Sequence, residues 1–168
     1  MVGEVIDGVL YTWPRPRLRH ATAVARISSQ LEPAFGRGVG GPGGWVIVQE
    51  PGLELERAAE IVPDLAGWRV ERLQNNGLDD AIKVVPDWVC EVLSPTTRRH
   101  DLSVKKPLYA AAGVSWLWLV DPRDREVTAF RLNAERRWVD LGTWSDLDRA
   151  RIEPFDDVEF DLACLWTL

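Results

Sequence analysis

Glu91 sits in the middle of the run Val84-Val85-Pro86-Asp87-Trp88-Val89-Cys90-Glu91-Val92-Leu93-Ser94-Pro95, among residues that are mostly apolar. Read as a strand, the run puts Trp88, Cys90 and Val92 on one face and Asp87, Val89, Glu91 and Leu93 on the other. Both faces are largely apolar, the pattern of a central strand covered on both sides. A carboxylate left charged and unpaired there costs several kcal/mol, so something must compensate it. The candidates are a metal ion, a cation such as Lys105 or Lys106, or a set of hydrogen-bond donors. Ahead of those lysines, Arg98, Arg99 and His100 form a basic cluster suited to contacting phosphate.

The elements that must position these residues follow from periodicity. Near the start, Glu4-Val5-Ile6-Asp7-Gly8-Val9-Leu10-Tyr11 reads as strand, turn, strand, with Asp7-Gly8 the hairpin dipeptide. From about Leu18 to Phe35, Val24, Ile27, Leu31 and Phe35 recur at helical spacing, and the glycines after residue 35 stop that helix. This glycine-rich segment follows a helix and lacks the Gly-Lys-Ser/Thr ending, so it is a loop and not a phosphate cradle. Trp45–Gln49 has no polar face and is expected in the sheet interior. Leu53 and Leu55 start a short partner strand, and a further strand is expected over 61–68, with Pro63 at its start. Gln74 to Asp80 is a polar turn leading into the run around Glu91.

Ser103 to Ala112 is expected to be a helix, with Pro107 tolerated near its first turn and Gly113 as its stop. Val114–Val120 is a second nearly all-apolar strand. Strand, helix, strand over 85–120 is a crossover unit and should be parallel. Residues 126–132 and 138–141 continue as a meander, and Val158–Leu162 should cover an edge. The fold class is therefore α/β or α+β, with a mixed central sheet flanked by helices and extra antiparallel hairpins.

Composition bounds the rest. The 168 residues fit one domain, 1–168, which buries about 70% of the surface its unfolded chain exposes. A net charge of -6, from 26 acidic and 20 basic residues, argues against coating nucleic acid through a global positive field but leaves room for a local basic cleft. Nine tryptophans are many, and most must be core or interface residues. Cys90 and Cys164 lie in apolar surroundings without zinc or redox spacing, as reduced buried thiols do. Met1 is followed by Glu4 and Asp7 instead of a basic flank and an apolar run, so no signal peptide or membrane span is expected and a cytoplasmic location is the default.

Several runs together carry a family resemblance: Val5-Ile6-Asp7-Gly8, Pro16-Arg17-Leu18-Arg19-His20, Val62-Pro63-Asp64-Leu65-Ala66, Pro86 to Pro95, Asp101 with Lys105 and Tyr109, and Ala112-Gly113-Val114 to Asp121. In order and over nearly the whole chain they resemble the Uma-two family of restriction endonucleases, within the PD-(D/E)xK nuclease superfamily. The resemblance implies a restriction-endonuclease-like core, with Asp64 the first metal-binding aspartate and Glu91 the strand glutamate. Where the superfamily pattern has lysine, this chain has Leu93; the family supplies its lysine from the following helix, and Lys105 is the matching position. Geometry favours Asp64 over Asp87 as the partner of Glu91. Asp87 is four residues away on one strand, roughly 13 Å at about 3.3 Å per residue, whereas a neighbouring strand lies about 4.8 Å away.

What the resemblance implies is a nuclease that uses Mg²⁺ or Mn²⁺ to hydrolyse phosphodiester bonds of nucleic acid, DNA more than RNA. Glu50, at the end of a core strand, offers a third carboxylate. His20, at the start of the first helix, could approach the site, and Lys106 is the alternative to Lys105. Asp87, Asp101 and Asp121 read as turn or cap formers. A different class of function is a catalytically inactive homodimeric module that keeps the fold and uses its tryptophans for protein contacts. A third reading, a hydrolase of small phosphoesters, differs from the first only in the shape of its cleft. Dimerisation is expected from the tryptophan excess and the habits of the superfamily.

Overall fold

The computed structural model describes residues 1–74, 76 and 80–167. Residues 75 and 77–79, which carry most of the expected polar turn, lie outside the described residues. Val2–Ile6 (β1) and Val9–Trp13 (β2) pair antiparallel across Asp7-Gly8. The φ angles of 50° and 77° at those two residues are the left-handed values that a tight two-residue hairpin requires. Leu18–Leu31 (α1) buries Ala23, Val24, Ile27 and Leu31 along one stripe, and Glu32–Gly36 continues it as a wider π-turn.

Next come Trp45–Gln49 (β3), Leu53–Leu55 (β4), Ala58–Ile61 (β5), Leu65–Arg69 (β6) and Trp88–Val92 (β7). A helical stretch follows in three parts: Arg98–His100 (α2), a π-helical turn at Asp101–Lys105, and Lys106–Ala112 (α3). The stretch thus begins at Arg98 and not at Ser103. The widened turn immediately before Pro107 accommodates the residue that cannot donate to the preceding turn. Gly113 ends the stretch at φ 89°. Trp116–Asp121 (β8), Glu126–Leu132 (β9) and Trp138–Ser145 (β10) form the meander, and two short strands, Arg149–Ala150 (β11) and Phe160–Asp161 (β12), pair with each other.

The six-stranded sheet runs β10-β9-β8-β7-β6-β3, with β7 and β8 parallel and every other neighbour antiparallel. The crossover unit is as expected. A second sheet runs β2-β1-β5-β4. Three expectations are corrected. The strand expected over 61–68 is not one strand: Ile61 ends β5 and β6 begins only at Leu65, beyond Pro63. Trp45–Gln49 is an edge strand: Trp45 and Ile47 pack on one face of the sheet and Val48 on the other, so layers above and below cover it without a second strand neighbour. Val158–Leu162 covers a face and not an edge of the large sheet: Phe160 packs on Trp118 of the interior strand β8, and Phe160 and Leu162 share the core with α1.

All five residues of β7 are buried, on two different cores. Trp88, Cys90 and Val92 pack with α1, Phe155 and Trp118. Val89 and Leu93 pack with Leu108 and Tyr109 of α3 and with the second sheet. Period two therefore aims Glu91 at the α3 side. Cys90 is fully buried and its thiol is pushed up by desolvation, while Cys164 is only partly covered and lies against Gln30; both are free thiols. Trp45, Trp68, Trp88 and Trp118 are core residues. No helix among the described residues is long and apolar enough to cross a membrane.

Candidate active site

Continuing the β6–β7 register, in which Leu65 faces Cys90, places Asp64 opposite Glu91. Asp64 lies just before β6, so its side chain is free of the ladder while its Oδ2 accepts from the Val92 N–H at 2.7 Å. Both carboxylates line one cavity of about 520 Å³, bounded also by Glu4, His20, Glu50, Asp101 and Lys105. Asp87 is remote from this group: it accepts from the Arg69 N–H and from Arg72. These partners match the spacing argument that separates it from Glu91.

Glu91 is 2% exposed. Its Oε1 receives the Tyr109 hydroxyl at 2.5 Å and the Lys105 ammonium at 2.8 Å. Lys105 and Tyr109 are four residues apart on one helical face, so a single turn delivers both donors. Lys105 also contacts Glu4 Oε1 at 3.0 Å and donates to the Val62 carbonyl at 3.0 Å. Its three N–H groups thereby have three acceptors. Glu4 is itself buried, accepting from the Val62 N–H and facing His100 Nε2 at 3.0 Å. His100 and Lys105 are five residues apart, about 140° out of phase on a regular α-helix; the π-turn between them lets both reach one carboxylate.

Charge in the cluster is unbalanced. Burial pushes the Glu91 carboxyl well above the usual carboxylate range, against the pull of Lys105, and Asp101 and Asp64 add to the rise. Burial would lower the Lys105 ammonium, but Glu91, Glu4, Asp101 and Asp64 together outweigh it and raise it. Glu4 goes the other way. Burial raises it, yet His100, Lys105 and the Val62 N–H overcome that and bring it down to about 2. Asp101 is raised by burial. Lys105 is thus shared among four carboxylates, with His100 on Glu4 and His20 on Asp64 as the other basic partners, and Glu91 and Asp101 are the two left raised.

His20 reaches Asp64 from α1, with Nε2 at 3.1 and 3.2 Å from the two carboxylate oxygens. Burial lowers the imidazole pKa, but Asp64, Asp101 and Glu50 prevail and the net shift is upward. A raised histidine stabilises the fold fully below its unfolded value near 6.5, and that contribution disappears as pH rises through the folded value. His20→Ala is accordingly expected to cost stability at pH 6 and much less at pH 9. Urea unfolding at the two pH values checks this, and an equal cost at both would refute the ion pair.

The other sequence candidates divide. Glu50 lines the cavity. Lys106 does not; its Nζ lies over the Phe130 ring at 3.7 Å, because one residue further round the helix faces β9 and not Glu91. Arg98 and Arg99 are also absent from the lining, and Arg98 is bonded to Asp121. Asp121 otherwise caps the turn at Arg123 and Asp124, as expected of it. Asp101, expected only to cap, is 4% exposed and lines the cavity. Glu4 is a site residue that sequence reasoning misses. Its only signal is a charged residue alternating in register with Ile6, which is buried beside it.

The donor set fits Mg²⁺. That ion takes oxygen ligands, keeps several waters and needs one or two protein carboxylates with the substrate's phosphate, and Asp64 and Glu91 face one cavity as such a pair. Among the described residues no group of three or more His, Cys, Asp or Glu side chains is arranged to hold an ion by itself, so water and substrate oxygens would complete the coordination.

Over residues 3–163 the sequence matches the Uma2 family, whose description is "Putative restriction endonuclease". No curated protein matches. Among solved structures the chain is similar to a "putative nuclease" belonging to DUF820 from Anabaena variabilis, with a TM-score of 0.79 and 19% identity. The match covers 98% of this chain and 89% of that one, so the shared fold extends over the whole sheet and its helices.

Proposed function

Because the chain belongs to the Uma2 family, we propose that it is a Mg²⁺-dependent nuclease that hydrolyses phosphodiester bonds, DNA in preference to RNA, through Asp64, Glu91 and Lys105. The observation that carries the reading is the meeting of Asp64, from the start of β6, and Glu91, from β7, on one cavity with Lys105 held on the Glu91 carboxylate.

Asp64 and Glu91 would hold the ion. When bound, Mg²⁺ supplies Lewis-acid activation of water and neutralises charge on the phosphate. The chain's own residues do the rest. Tyr109 and Lys105 fix the rotamer of Glu91, and the Val92 N–H fixes that of Asp64. Lys105, anchored by Glu4 and Val62, holds a cation on Glu91, where it would stabilise negative charge growing on a phosphate bound in the cavity. Cation binding requires Glu91 in its ionised form, so metal affinity is expected to rise with pH above the ordinary carboxylate value.

The experiment is cleavage of single-stranded DNA, plasmid DNA and RNA by purified protein in Mg²⁺ and in Mn²⁺, with Asp64→Asn beside the wild type. Metal-dependent cleavage lost in the variant is expected; equal cleavage by both proteins overturns the assignment. A second reading, a catalytically inactive homodimeric module, draws support from the full complement of acceptors around Lys105. Calorimetry with Mn²⁺ separates the two, since the module binds no ion at millimolar concentration.

A further inference from the structure

The mouth of the cavity differs from its floor. Arg15, Arg17 and Arg19, in the stretch that leads from β2 into α1, and Arg123, in the β8–β9 turn, all line it and all are exposed. Six other arginines, at 57, 72, 98, 125, 131 and 149, are ion-paired with a carboxylate, and the remaining seven lie outside the cavity lining. These four have no ion-pair partner among the described residues. In a chain of net charge -6, the exposed lining of this cavity carries four guanidinium groups against one carboxylate, Glu50, the charge pattern that steers a polyanion to a site.

Apolar residues share this lining: Pro14 and Pro16 alternate with the arginines at the surface, Pro95 is exposed beside them, Trp13 is half-buried and Leu93 is buried. The volume, about 520 Å³, is in the range that encloses one drug-sized ligand, the size of a single nucleotide and far short of a turn of duplex. Apolar and aromatic side chains beside basic ones are what an unpaired strand uses, its bases on the rings and its backbone on the arginines.

Resting on the nuclease reading, we propose that this cavity takes one nucleotide of an unpaired strand. Its base and sugar lie against the Trp13–Pro14–Pro16 wall, its phosphate faces Asp64 and Glu91, and flanking phosphates lie on Arg15, Arg17, Arg19 and Arg123. The substrate class is single-stranded or locally melted nucleic acid, not continuous duplex.

Fluorescence anisotropy tests this with a labelled 12-nucleotide single strand and the same sequence closed in a hairpin duplex, in EDTA and again in Ca²⁺. The single strand is expected to bind at least tenfold tighter in both. In the Arg15→Ala, Arg17→Ala, Arg19→Ala protein, the slope of log affinity against log salt should fall by about 2, since each phosphate contact on a single strand contributes about 0.7. Trp13→Leu should weaken binding by about 5-fold to 100-fold, as loss of one stacked base does, with the slope unchanged. Duplex binding as tight as single-strand binding, or an unchanged slope in the arginine variant, overturns the proposal. Cleavage of duplex with such binding would leave the nuclease reading standing and this one refuted. Strand binding as described without any metal-dependent cleavage would do the reverse.

Discussion

Glu91→Gln is expected to abolish metal-dependent cleavage, by at least about 10³-fold, while leaving the protein as stable as the wild type or slightly more so. The two effects have one cause. Glu91 is 2% exposed and shares its surroundings with Glu4, Asp64 and Asp101, so its ionised form is disfavoured. The amide keeps an oxygen for Tyr109 and Lys105 and removes the buried charge. The sign follows from linkage: a carboxyl whose folded pKa is raised costs stability as pH climbs from the unfolded value of 4.5 toward the folded one. The stability advantage of Glu91→Gln should therefore widen between pH 5 and pH 8, as read from chemical unfolding at each pH. A loss of stability that grows with pH would show that Lys105 more than compensates Glu91, and that the glutamate is a structural ion-pair member.

Lys105→Met is expected to destabilise the fold by about 3–5 kcal/mol, the range for removing one partner from a buried charge pair. It strands Glu4 and Glu91 together, each 2% exposed. Glu4 is the more sensitive of the two. Its depressed pKa, about 2, stabilises the fold above its unfolded value near 4.5, and this is lost as pH falls through the folded value. Without Lys105 the dependence inverts, because protonation would relieve the stranded carboxylates, and the variant should lose least near pH 4.5. Adding Glu4→Gln to Lys105→Met is expected to restore at least half of the loss. Thermal unfolding of the two single variants and the double one measures the coupling; simple additivity would mean that the lysine and Glu4 do not act together.

Much of this arrangement is legible in the sequence. Alternation in β7 announces a strand buried on both faces with a carboxylate aimed at one of them, and the crossover from 85 to 120 announces its parallel neighbour. Asp64, Glu91 and Lys105 do converge, and His20 and Glu50 reach the same cavity. What the sequence hides has a common physical reason. Lys105 and Lys106 are adjacent, and only the phase of the helix decides which one faces Glu91; Pro107 suggests a start near residue 103, and the widened turn at 101–105 leaves no compositional mark. Glu4 and Asp101 look like ordinary surface carboxylates because their burial depends on distant parts of the chain, a partner 96 positions away in the case of Glu4, and on a second sheet folding over the first. Arg98 and Arg99 suggest a basic contact because they follow the Glu91 strand in sequence, whereas the arginines that line the cavity come from a loop far earlier in the chain and from the β8–β9 turn.

The widened turn at Asp101–Lys105 makes the lysine a matter of spacing as well as of residue type. A π-turn is equivalent to one extra residue carried inside a helix. Loss of one residue within 102–104 would let the backbone close into a regular α-helix, leaving His100 and the lysine four positions apart, about 400° of rotation, and still on one face. Gain of one residue has no such slack to draw on and would turn the lysine about 100° away from Glu91. Length changes in this segment are therefore asymmetric: chains one residue shorter can keep the site, and the count of residues from the strand glutamate to its lysine is free to differ among chains whose lysines occupy the same point in space.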